Sequence, residues 1–93
     1  MKYVLLGSIS PFWIGKQTER LTKSNAKLKE LGIKQESVLY TQGQYDFVET
    51  IDAPGPESVL AFTIWYSQVG FGSMQTLPAF ADKTIRKIIK EDN

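Results

Sequence analysis

The stretch Gly43-Gln44-Tyr45-Asp46-Phe47-Val48 constrains the fold more than any other part of the chain. A glycine turn passes straight into an alternating strand there, setting an aromatic ring beside a carboxylate. The residues before it, Ile33 to Thr41, alternate polar and apolar and end in Val38-Leu39-Tyr40. Two such runs joined by Gln42-Gly43 form a hairpin. Its second strand runs from about Gln44 to Ala53. Tyr45, Phe47, Glu49 and Ile51 point to one face, and Asp46, Val48, Thr50 and Asp52 to the other. Both sets mix apolar with polar residues, so alternation leaves open which set meets the core. The mixture fits a central strand with helices on one face and a partly wet cover on the other.

The flanks supply a matching set of elements. Tyr3 to Ile9 is a short apolar run of strand formers, ended by Pro11. Residues 11–16 form a loop carrying Phe12 and Trp13. From Thr18 to Leu31, Leu21, Leu28 and Leu31 recur at helical spacing, and Gly32 supplies the left-handed stop. Ala53-Pro54-Gly55-Pro56 breaks the chain, and Pro56 suits the first position of a helix reaching Val69. Apolar residues surround much of that helix (Val59, Leu60, Phe62, Ile64, Trp65, Tyr66, Val69), so something covers its outer side. Ser73 to Phe80 is a last strand, and Pro78 places it at an edge or bulge. After Asp82, a good helix cap, Ile85, Ile88 and Ile89 form a stripe on a short basic helix. That helix is the candidate cover for the preceding one, in its own subunit or a neighbour's.

The order strand, helix, strand, strand, helix, strand is the ferredoxin-like βαββαβ arrangement, here with an extra C-terminal helix. The fold class is therefore α+β, a four-stranded antiparallel sheet in a single domain over residues 1–93. Its helices cover one sheet face. In a chain of 93 residues the simplest cover for the other face is the same face of a second copy about a two-fold axis, a homodimer or higher oligomer. A cleft or small barrel between the sheets is then where a ligand would sit.

Composition narrows the chemistry. The chain has neither cysteine nor histidine, which removes disulfides, thiolate and Ser-His nucleophiles, an imidazole haem ligand and the usual zinc ligands. No cofactor and no metal site is expected. A net charge of +1 argues against nucleic acid as partner. Five basic residues between Lys16 and Lys29 read as the solvated face of a helix. No apolar run is long enough for a membrane span, and the start lacks a cleavage site, so a cytoplasmic protein is expected.

Gly43-Gln44-Tyr45-Asp46-Phe47-Val48, followed by Ala53-Pro54, a helix and a closing Thr76-Leu77-Pro78-Ala79-Phe80, resembles the GYD domain family, named for its Gly-x-Tyr-Asp strand. The resemblance implies a stand-alone dimeric α/β barrel. It also implies kinship with a superfamily of cofactor-independent oxygenases and isomerases, haem-degrading enzymes and effector-sensing domains. The family usually carries a basic residue where Pro78 stands, which puts an anion contact from that position in doubt.

The candidate ligand-binding residues are Tyr45, Asp46, Tyr40 and Trp13, suited to a small apolar or aromatic molecule; no catalytic residue is assigned. A structural role competes at each. Strand tyrosines and tryptophans are commonly core, and an Asp after a glycine turn commonly accepts backbone N–H bonds. Glu36 and Glu49 are expected at the rim. In an enzymatic alternative, a monooxygenase or isomerase without cofactor, Asp46 or Glu49 is the general base and a tyrosine hydroxyl the donor.

Overall fold

The computed structural model describes residues 1–90. Within them the element order is β1 (Lys2–Ile9), α1 (Pro11–Ile14), α2 (Gln17–Glu30), β2 (Lys34–Tyr40), β3 (Phe47–Asp52), α3 (Pro56–Gln68), β4 (Gly72–Ala79) and α4 (Asp82–Ile89). The strands form one antiparallel sheet in the order β2-β3-β1-β4. This is the expected ferredoxin-like arrangement, with β1 and β3 central. Edge position suits β4, because Pro78 has no N–H to donate to a second neighbour.

Strand register assigns the two faces. Tyr3 pairs with Ile51 and Pro78, Leu5 with Glu49 and Thr76, and Gly7 with Phe47 and Met74. Tyr3, Leu5, Phe47 and Ile51 are buried with Leu28 of α2 and Val59, Phe62 and Tyr66 of α3. This face carries the core. On the opposite face one row runs Leu39, Val48, Leu6, Gln75 and the next Ser37, Thr50, Val4, Leu77. Leu39 is 71% exposed and Leu77 is exposed as well, so these rows lie open in a single chain.

Local chemistry explains the helices. Gly32, at φ 70°, takes the left-handed position after α2 and lets Ile33 donate back to the Leu28 carbonyl at 2.9 Å. Pro56 opens α3, and the Ser58 hydroxyl donates to the Gly55 carbonyl at 2.8 Å. The segment expected as a loop after Pro11 contains one helical turn, because Trp13 wedges inward with its ring centroid 4.6 Å from that of Phe71. Phe12 stays exposed.

Two expectations change at the C-terminal end. Ala81, rather than Asp82, occupies the cap position of α4. Asp82 is the first helical residue and its carboxylate pairs with Arg86 Nε at 2.6 Å, one turn on, instead of with its own amides. The stripe Ile85, Ile88, Ile89 buries nothing within the chain, and Leu60 and Ile64 on the outer side of α3 remain exposed. So α4 does not cover α3 of its own subunit.

Candidate functional site

A helix returns every fourth residue to the same side. On α2 this brings Arg20, Ser24 and Leu28 onto the face that meets the sheet, at 2%, 8% and 4% exposure. Arg20 was expected among the solvated lysines; its register with Leu28 buries it instead. Alternation on β3 does the same for Glu49, which lies between Phe47 and Ile51 and is 4% exposed. The rim expectation holds for Glu36, exposed and paired with Lys2 at 2.5 Å, and fails for Glu49. Tyr66 reaches the same region from α3. Together with Gln35, Val38, Tyr40, Phe47, Phe62 and Met74, these side chains line a pocket between the helices and the sheet.

Its electrostatics are uneven. The Arg20 guanidinium donates from Nη1 to the Trp13 carbonyl at 2.8 Å and from Nη2 to the Gln17 side chain. None of the ion pairs among the described residues involves it. Arginine stays charged in proteins, so a buried cation stands here against neutral acceptors. Glu49 accepts from Gln35 Nε2. Burial pushes its carboxyl above the ordinary value, and the Gln35 bond offsets only part of that. Burial likewise pushes the Tyr66 hydroxyl up to about 12, with the nearby Arg20 charge acting the other way. Ser24 Oγ is buried and has no hydrogen-bond partner.

Glu49 yields a prediction with a definite sign. A carboxyl whose folded-state pKa is raised binds protons more readily folded than unfolded. Stability is therefore lost as pH rises from the unfolded value near 4.5 through the raised value, with no further loss above it, and the cost vanishes below 4.5. Glu49→Gln is expected to raise the melting temperature at neutral pH, with the gain shrinking toward zero under acid conditions. Thermal melts of both proteins across that pH range measure it.

The four residues singled out from sequence separate spatially. Tyr40 stands in the pocket lining, half exposed, with its ring edge-on to Phe47 at 6.4 Å. Trp13 is packed on Phe71, and its backbone carbonyl rather than its ring serves the pocket by holding Arg20. Tyr45 precedes β3, so strand alternation does not reach it; its hydroxyl donates to Gln75 Oε1 at 2.6 Å on the open sheet face. Asp46 closes the β1–β3 pairing. Its carboxylate accepts from the Ile9 N–H at 2.6 Å and its own N–H donates to the Gly7 carbonyl at 2.7 Å. The structure thus brings Tyr40 and Glu49 to one pocket and leaves Tyr45 and Asp46 outside it.

The pocket's free interior is about 30 Å³, enough for water but too small for a ring. Two more open apolar grooves, of about 280 and 250 Å³, lie along the Pro78 end of the sheet. Neither is lined by a buried acid or base. Among the described residues no cluster of three His, Cys, Asp or Glu could hold a metal ion, and no helix is long and apolar enough to cross a membrane.

Comparison with known proteins supports the architecture. One solved structure, 5-chloro-2-hydroxyhydroquinone dehydrochlorinase (TftG) from Burkholderia phenoliruptrix AC1100 in complex with 2,5-dihydroxybenzoquinone, matches with a TM-score of 0.63. The match covers 90% of this chain and 98% of that one at 14% identity, which establishes likeness of fold. No curated protein matches the chain. The GYD domain model matches residues 13–89, which include both the Gly43 to Val48 stretch and every pocket residue named above. The chain belongs to the GYD domain family.

Proposed function

We propose that this GYD-family protein is a homodimeric small-molecule-binding module, paired through its open sheet face, with the ligand held in the pocket between α2, α3 and the sheet. The observation that carries the binding role is the pocket's lining. A buried carboxyl, a buried guanidinium and an unpartnered hydroxyl converge among aromatic and aliphatic side chains, the composition of a site that fixes a ligand's orientation. Apolar Leu6, Val48, Leu39, Val4 and Leu77 across the open face support the pairing. Sheet-to-sheet pairing covers the face opposite the pocket, so each copy keeps its own site.

Native mass spectrometry of gently purified protein tests both parts. The expected result is a dimer carrying releasable extra mass, and a Ser24→Leu variant, whose larger side chain fills the pocket, that runs as a bare dimer. Extra mass retained equally by the variant contradicts the pocket assignment; a monomer contradicts the pairing.

A second reading, an isomerase or monooxygenase working without cofactor, draws support from Glu49 and Tyr66 lining one pocket. A carboxyl with a raised pKa can carry a proton to or from an acidic carbon of a small group that enters the pocket, and a buried tyrosine can donate to the oxygen that gains charge. Asp46, engaged with Ile9, plays no part in this reading. Exchange of solvent deuterium into a small enolisable ketone, lost in Glu49→Gln, would support turnover. The fold match to a dehydrochlorinase agrees with it by analogy of architecture alone.

A further inference from the structure

We propose that the pocket is an anion site, taking the oxyanion end of a planar aromatic molecule, a carboxylate or a phenolate, against Arg20 and Ser24 while the ring remains at the mouth. The inference rests on the pocket being a small-molecule site and adds the charge of what enters it.

Three observations carry it. Arg20 is 2% exposed and, among the described residues, pairs with no carboxylate. A buried unpaired charge costs several kcal/mol, and a counter-charge within the site removes much of that cost. Ser24 Oγ lies one helical turn along the same face, buried and without a partner. A hydroxyl with a free proton beside a guanidinium is a second donor for the same anion. Glu49, the carboxyl lining the pocket, holds its proton above the ordinary range and accepts from Gln35, so it opposes an incoming anion less than a free carboxylate would.

Size and shape then choose the ligand. The interior of about 30 Å³ suits a small polar head group but not a ring. Exposed Tyr40 and Gln35, also in the lining, offer a flat, mixed surface for the remainder. Aromatic walls from Phe47, Phe62 and Tyr66 favour a planar head over a tetrahedral one.

Isothermal titration with benzoate and with benzamide, its neutral counterpart of nearly the same shape, tests the inference. Wild type is expected to bind benzoate at least about tenfold more tightly than benzamide, the scale of one charge-assisted bond. Arg20→Met should bind the two equally. Ser24→Ala should keep the preference with benzoate weakened severalfold, and it stands as the test if Arg20→Met fails to fold. 4-Nitrophenol separates the two anion sources: its yellow phenolate accumulating on the protein supports a phenolate site, and its exclusion while benzoate binds supports a carboxylate site. Equal affinity of wild type for benzoate and benzamide overturns the anion assignment while leaving the pocket a binding site. A benzoate preference that survives in Arg20→Met overturns the role of Arg20, and absence of binding by every probe overturns the pocket reading itself.

Discussion

Gly72→Ala is expected to destabilise the protein by about 4 kcal/mol or more, enough to leave a domain of this size largely unfolded under mild denaturant. A Cβ at Gly72 would lie 1.9 Å from the Ser8 carbonyl oxygen and 2.9 Å from its carbon, and the residue sits at φ 154°. Both obstacles are backbone. Ser8 belongs to a central strand paired on both sides, so it cannot retreat without opening the β1–β4 ladder, and left-handed strain adds to the clash. Gly7→Ala gives a graded comparison. Its Cβ would lie 1.9 Å from the Phe47 ring tip, but a side chain can shift, so overpacking of about 1–3 kcal/mol is expected. Gly15→Ala, which meets nothing within 4 Å, should change stability by less than about 0.5 kcal/mol. Urea unfolding of the three variants measures the order; a Gly72→Ala protein as stable as the Gly15 variant contradicts the β1–β4 register.

The double substitution Leu39→Asp with Leu77→Asp is expected to convert the proposed dimer to monomer, weakening association by about a hundredfold or more. Both side chains are exposed in the single chain, so their replacement should leave the monomer fold intact. In the proposed pairing they lie between two sheets. Each copy then forfeits two apolar side chains worth roughly 1.5–3 kcal/mol apiece when fully buried, and four carboxylates enter the interface. Sedimentation equilibrium reads the result directly. Wild type should run at twice the 10.5 kDa chain mass and the variant at the chain mass, with unchanged circular dichroism. A variant that remains dimeric places the interface elsewhere, and the exposed outer sides of α3 and α4 are then the surfaces to test.

The fold was legible because each element carries its own signal. Gly32 stops α2, Pro56 starts α3, and alternation from Phe47 to Ile51 marks β3. The site was less legible, because its residues break the patterns used to find elements. Arg20 and Ser24 look like ordinary polar residues on a lysine-rich helix. Stepping back from Leu28 by four and by eight reaches both, so a wheel anchored on Leu28 rather than on residue class places them inside. Glu49 follows the same logic: once Phe47 and Ile51 are core, the residue between them two positions away must be core too. Burial of Phe47 and Ile51 is a tertiary fact, fixed by α2 and α3 landing on that face, and strand alternation alone is symmetric between faces. Tyr45 and Asp46 both make hydrogen bonds within the fold. Asp46 satisfies the Ile9 N–H at the end of β1, and Gly43, at φ 141°, supplies the turn that delivers it there.

The ligand site proposed from the structure is not the cleft expected from sequence. Sequence reasoning puts it between two sheets, where Tyr45 stands. The polar groups lie instead on the helix side, inside one subunit, where the apolar walls make charge and hydrogen bonding most selective. An amide NMR titration of isotope-labelled protein with benzoate distinguishes the two locations. Saturable shifts centred on Arg20, Ser24, Glu49 and Tyr66 are the predicted result. Shifts confined to Leu6, Tyr45, Val48 and Gln75 on the open sheet face would contradict it.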